Sequence, residues 1–201
     1  MAEPTTAITD FLMAGVAFVL AAKLISYWRF AFFFTAVAAL AGGIYHSTPS
    51  MIVWKVTVYS VGLATLFLIL AASRATFAFR VFSIFAIAEF VVYGAWMATH
   101  NDFIYVIADY GSGMLGVAAL YITAFPRMTR ASRLVLASIA VAALGAVVQA
   151  TRFTLHPRFN FNDLYHVIQI VSLILLYRGA RASEPARTQP NRRSYSFLTI
   201  R

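Results

Sequence analysis

The apolar residues of this chain come in long blocks rather than at amphipathic spacing, and that pattern restricts the fold more than any motif does. Seven blocks can be marked, at about Thr6 to Tyr27, Phe30 to His46, Met51 to Ala72, Val81 to Thr99, Phe103 to Phe125, Ala131 to Ala150, and Asp163 to Tyr177. Each approaches the roughly twenty apolar residues that cross a bilayer as a helix. The connections are short, such as Ser73-Arg74-Ala75-Thr76 and Pro126-Arg127-Met128-Thr129-Arg130, so consecutive helices pack antiparallel in one bundle. Composition agrees: 61% of the chain is hydrophobic and only 11% is charged, about half the charged share of a soluble domain. The expected fold is all-α, a seven-transmembrane-helix bundle over residues 1–180. A basic, disordered tail follows over 181–201, with Pro185 and Pro190 in it.

The absence of cysteine excludes disulfides, Cys-ligated zinc and thiol nucleophiles. The start, Met1-Ala2-Glu3-Pro4, has no basic segment before the first block and reads as no removable signal peptide. A formal net charge of +9 in a soluble chain would point to nucleic acid. Here topology accounts for it, and no nucleic-acid partner is expected. Lys and Arg concentrate after the first, third and fifth blocks and in the tail, at Lys23, Arg29, Arg74, Arg80, Arg127, Arg130 and Arg133 among others. Of the sixteen basic residues, only Lys55, Arg152 and Arg158 fall on the other side. The positive-inside bias therefore puts the N-terminus outside and the C-terminus in the cytoplasm. Trp28, Trp54 and Trp96 stand at block ends, as an interfacial aromatic belt would place them.

The same topology gathers the other polar residues outside. His46, His100, His156 and His166 all lie at outer block ends or in outer loops, and so do most of the acids. Positive-inside bias does not explain that, and ionisable groups within spans are functional by default. Asn162, His166 and Gln169 stand at i, i+4 and i+7, one face of the seventh helix; Tyr105, Asp109, Ser112 and Gly116 do the same on the fifth. Glu89 lies deeper, in the fourth. The expectation is an outward-facing polar pocket between the second, fifth and seventh helices, lined by Gln169, Ser112, Tyr105 and Glu89. Imidazole and carboxylate together suit zinc, which lowers the pKa of a bound water and polarises a carbonyl. His46, His166 and Asn162 are the expected metal-site residues. Asp109 is the expected proton shuttle or third ligand, and Asp163 the orienting carboxylate. No HExxH, phosphate-binding glycine loop or Gly-x-Ser-x-Gly elbow is present. A retinal Schiff base lacks its lysine, since the only two are Lys23 and Lys55.

A histidine closing the second block (Gly43-Ile44-Tyr45-His46-Ser47-Thr48) and another opening the seventh (Asn162-Asp163-Leu164-Tyr165-His166) carry a resemblance. The chain resembles the CREST superfamily of seven-span membrane hydrolases, which includes alkaline ceramidases and adiponectin-receptor-like proteins. The resemblance implies a metal-dependent hydrolase of a lipid amide or ester bond, with membrane lipid as partner and lipid-like molecules as substrate. It also implies a calcium-binding acidic N-terminal segment, here Glu3 and Asp10. Three positions depart from the family pattern: Asn162 replaces the first histidine of the seventh-span pair, Gly42 replaces a serine, and the third span lacks its early aspartate. These departures support the alternative expectation, a non-catalytic seven-helix lipid or small-molecule binding or sensor protein.

Overall fold

The structure is a computed structural model describing residues 3–74, 79–123, 129–157 and 159–184. The tail beyond Glu184 lies outside the described residues. Among the described residues seven helices follow one another: α1 (Pro4–Ala22), α2 (Ser26–Ser47), α3 (Met51–Ser73), α4 (Phe79–Thr99), α5 (Phe103–Thr123), α6 (Arg130–Thr151) and α7 (Phe161–Ser183). Among the described residues there is no sheet, only an isolated bridge between His156 and Phe159. Six of the helices, α1 to α6, are long and apolar enough to cross a membrane. In α7, Asn162, Asp163, His166, Gln169, Arg178 and Arg181 interrupt the apolar run.

Two boundaries differ from the expectation. The first block breaks at Lys23, and α2 starts at Ser26, whose φ of 62° turns the chain. The last helix runs beyond Tyr177 to Ser183, because Gly179 and Ala180 are still packed and Arg181 Nη1 reaches the Lys23 carbonyl at 2.9 Å.

Small residues set the closest helix approaches, as expected where van der Waals packing holds spans together. Ala14, Ala17 and Ala21 of α1 are buried, as are Ala36, Ala39, Gly42 and Gly43 of α2. A methyl group at Gly179 would stand 2.7 Å from Val135 Cγ2 and 3.1 Å from the Val135 backbone nitrogen, so α7 lies directly on α6 there. The main core joins Trp28 and Phe32 of α2, Leu68 and Ile69 of α3, Val117 and Leu120 of α5, and Leu173 and Leu176 of α7. Trp28 is therefore a core residue, only 3% exposed, and not part of an interfacial belt; Trp96 is 47% exposed.

The helices alternate in direction. Lys55 Nζ near the start of α3 donates to the Met97, Ala98 and His100 carbonyls where α4 ends. The Glu3 backbone N–H before α1 donates to the His46 carbonyl at the end of α2 at 3.1 Å. The starts of the odd-numbered helices and the ends of the even-numbered ones thus share one end of the bundle.

Candidate functional site

At that end, α1, α2 and α7 converge on the Asp10 carboxylate. In α1, Thr6, Thr9 and Asp10 stand at i, i+3 and i+4, one polar face on an apolar helix. Asp10 sits where α1 meets Gly42, at which a Cβ would be 3.1 Å from Oδ2. The missing side chain at 42 is what admits the carboxylate.

His166 Nε2 lies 3.2 Å from Asp10 Oδ1, and His46 Nε2 lies 3.9 Å from Asp10 Oδ2. The side chains of Asp10 and His166 are 5% and 9% exposed; those of His46 and Glu3, 26% and 43%, open the group to the polar end. Asp10 Oδ2 is buried and has no hydrogen-bond partner among the described residues.

The outer nitrogens of both imidazoles face oxygen. Thr9 Oγ1 donates to the Thr6 carbonyl and lies 2.9 Å from His166 Nδ1. With the Thr9 proton directed at the Thr6 carbonyl, the Nδ1 contact is a hydrogen bond only when Nδ1 carries a proton. His46 Nδ1 lies 3.2 Å from Glu3 Oε2, an acceptor when ionised, so Nδ1 carries the proton there too. With neutral rings, both Nε2 lone pairs then face a carboxylate that is itself an acceptor. A proton or a cation among them would relieve these acceptor-to-acceptor contacts. A single proton between Asp10 Oδ1 and His166 Nε2 satisfies one edge and leaves Oδ2 and His46 Nε2 unmatched.

Asp163 is placed differently from the expectation. It is 1% exposed and begins α7 in a capping box. Its Oδ2 accepts from Asn160 N at 2.8 Å, while Asn160 Oδ1 accepts from Asp163 N at 3.2 Å. Asp163 Oδ1 accepts from Thr6 Oγ1 at 2.9 Å, tying α7 to α1. Its carboxylate therefore fixes the helix that carries His166 and does not touch either imidazole through a hydrogen bond. Asn162, expected on the metal, instead accepts from Gln149 Nε2 at 3.0 Å and donates to Glu3 Oε2 at 3.2 Å. Glu3 and Asp10, expected as a calcium pair, are each engaged with histidine.

The residues expected from α4 and α5 form a separate group. Asp109 Oδ2 accepts from Thr65 Oγ1 of α3 at 2.9 Å. Ser112 donates to Glu89, and Tyr105 packs on Trp96 and His100. Gln169 turns to α6, donating to the Ala142 carbonyl at 3.4 Å. The site is thus built by α1, α2 and α7, with α5 absent from it. His100 is stacked on Trp96 at 3.8 Å, and the Nδ1 of its ring faces the Trp96 carbonyl.

Residues 5–185 match a family of unknown function, DUF6962. The chain belongs to that family. No curated protein and no solved structure matches this DUF6962 chain, and nothing among these comparisons links it to the seven-span hydrolases.

Whether the donors suit a metal is decided by the Asp10 group. Among the described residues no three His, Cys, Asp or Glu side chains enclose an ion as they stand. In a tetrahedral zinc site, bonds of roughly 2.0–2.2 Å place ligand atoms about 3.4 Å apart. The 3.2 Å contact of His166 runs to Asp10 Oδ1 and the 3.9 Å contact of His46 to Asp10 Oδ2, so the two imidazoles share the carboxylate but not one oxygen, and the side chains would have to shift to close on a single ion. The donor types fit: two imidazole nitrogens, each with its other nitrogen on an oxygen acceptor, and one carboxylate with an unmatched oxygen. Asn162 is replaced by Asp10 in that set.

Proposed function

We propose that this DUF6962 protein is a multi-pass membrane hydrolase that cleaves an amide or ester bond of a lipid, with Asp10, His46 and His166 holding a divalent metal, zinc by donor type. One observation carries the reading: two imidazole Nε2 atoms and an unpartnered carboxylate oxygen converge at the polar end of an apolar bundle. Burying such groups is costly, and packing the bundle does not require it. A zinc ion there would supply a Lewis acid that polarises a carbonyl and activates water. The chain's own residues do the rest. Thr9 orients the His166 imidazole, Asp163 and Asn160 hold the start of α7, and Gly42 leaves room for the Asp10 carboxylate.

In this reading α7 is the seventh span, the N-terminus is outside, and the site opens at the outer leaflet through His46 and Glu3. The Lys and Arg distribution supports that orientation. The apolar bundle would admit acyl chains laterally. Calcium is not part of this reading, because Glu3 and Asp10 both face histidine.

A second reading has its own support. Asn162, standing where the resembled hydrolases have a histidine, is bonded to Gln149 and Glu3. The protein would then keep a lipid or small-molecule binding site without turnover.

Elemental analysis of detergent-purified protein tests the first reading, with wild type beside Asp10→Asn, His46→Ala and His166→Ala. Near-stoichiometric zinc in wild type, lost in each variant, is the expected result, followed by turnover of lipid amides or esters. Wild type that takes up no metal after incubation with zinc would refute the metal centre and leave the binding reading.

A further inference from the structure

Glu3 occupies the N-cap position of α1, where a short polar side chain such as Ser, Thr, Asp or Asn ordinarily turns back onto its own helix. It does not. The Glu3 side chain makes no capping bond to α1. It crosses instead to two other helices, with Oε2 3.2 Å from His46 Nδ1 of α2 and 3.2 Å from Asn162 Nδ2 of α7. Its backbone N–H is anchored separately on the His46 carbonyl. The first turn of α1 is thereby bound to the last turn of α2, with the carboxylate directed at the imidazole.

We infer that Glu3 is a positioning residue for His46. Its carboxylate accepts the Nδ1 proton, fixes the Nδ1–H tautomer and turns the Nε2 lone pair towards Asp10. Thr9 performs the same task for His166 from the opposite side of the site, and there the acceptor is a hydroxyl whose own proton is committed to the Thr6 carbonyl. A neutral imidazole in water favours the other tautomer modestly, so the ring needs an acceptor at Nδ1 to present Nε2 as a free donor atom. Asn162 contributes by donating to the same Glu3 oxygen, which holds the carboxylate in place. This gives the asparagine a use at a position where it does not act as a ligand. The inference takes its purpose from the metal-centre reading, while its measurement needs no metal.

The test uses full-length, metal-free protein labelled with nitrogen-15 in histidine, at a pH of about 8, above the ordinary histidine range. Nitrogen shifts distinguish protonated from bare ring nitrogens, and His46→Gln identifies the His46 signals. Wild type should show His46 with the proton on Nδ1 alone. Glu3→Ala should release it to a mixture of tautomers, and Glu3→Gln, whose amide oxygen still accepts, should restore much of the wild-type signal. The Glu3 backbone bond survives in both variants, and the chain loses no side-chain cap, so both should fold. His166 should be unchanged throughout. A Glu3→Ala spectrum identical to wild type would overturn the inference, as would wild type already showing His46 as a mixture.

Zinc titration separates this outcome from the fate of the metal reading. Loss of an outer partner to a ligating histidine typically weakens metal affinity on the order of 10- to 100-fold, and Glu3→Ala should fall in that range. If the tautomer changes in Glu3→Ala but wild type binds no zinc, Glu3 positions His46 and the metal centre is wrong. If wild type binds zinc and Glu3→Ala binds it equally with an unchanged tautomer, the metal centre stands and Glu3 has no positioning role.

Discussion

Replacing Asp163 with alanine should damage the stability of the bundle before it affects any chemistry. The Asp163 carboxylate accepts two hydrogen bonds while buried, from Thr6 Oγ1 at 2.9 Å and from Asn160 N at 2.8 Å. Losing the Asp163 half of the capping box frees the Asn160 backbone N–H, at about 1 kcal/mol, while the Asn160 side-chain cap stays in place. The Thr6 bond joins helices at opposite ends of the chain. Hydrogen bonds to charged groups contribute about 1.5–3 kcal/mol in soluble proteins, and interhelical ones in membranes reach at most about 1.7 kcal/mol in measured cycles. A value of about 1.5 kcal/mol is the consistent choice, and the Thr6 hydroxyl, left accepting only from Asn160 Nδ2 at 3.5 Å, adds a smaller amount. Asp163→Ala should therefore lose about 3 kcal/mol, and Thr6→Val, which keeps the shape, about 1.5 kcal/mol. Because the variants share one bond, the double variant should lose less than the sum, with a coupling of about 1–1.5 kcal/mol. Reversible unfolding in mixed micelles, followed by helical circular dichroism, measures all four proteins. Strict additivity within about 0.5 kcal/mol, or an Asp163→Ala protein as stable as wild type, would refute the bond as the tie between α1 and α7.

Two further outcomes can be checked with little additional effort. Gly179→Ala should destabilise by about 1–3 kcal/mol in the same unfolding assay, since the new methyl meets the Val135 side chain and backbone; wild-type stability would mean that α6 and α7 are not so closely apposed. The chain has no cysteine, so single replacements report sidedness cleanly. Thr154→Cys, in the exposed link before α7, should react with an impermeant maleimide on intact cells, and Arg74→Cys, exposed at the opposite end, only after permeabilisation. The reverse pattern would overturn the outward placement of the site.

The seven helices were legible because apolar length is a local property, read without knowing any neighbour. Boundaries failed where apolarity and helix parted company. Leu24 and Ile25 are apolar but lie in the link between α1 and α2, whereas Arg178 and Arg181 are charged yet helical. The His46 and His166 pairing could be anticipated from their common end of the bundle. Asp10 could not be placed between them, because contact between α1 and α7 joins residues such as Thr9 and His166, 157 apart. The polar face of Thr6, Thr9 and Asp10 was the available signal, and the Asn160-x-x-Asp163 spacing signalled the cap. On α5 the periodic stripe was real but its direction was not readable. Periodicity gives a face without naming the helix it meets, and Asp109 turned out to meet α3.

That long separation has a consequence for how the protein is made. Translation proceeds at roughly 5–20 residues per second, so about 10–30 s pass between synthesis of Thr9 and of His166, 157 residues later. During that interval α1 carries Asp10, Thr6 and Thr9 without the partners that α7 will bring. Until the last helix emerges, the contacts that Thr6, Thr9 and Asp10 make with it cannot form. A nascent chain that stops before α7 would hold Asp10 with His46 of α2 facing it at 3.9 Å and without His166.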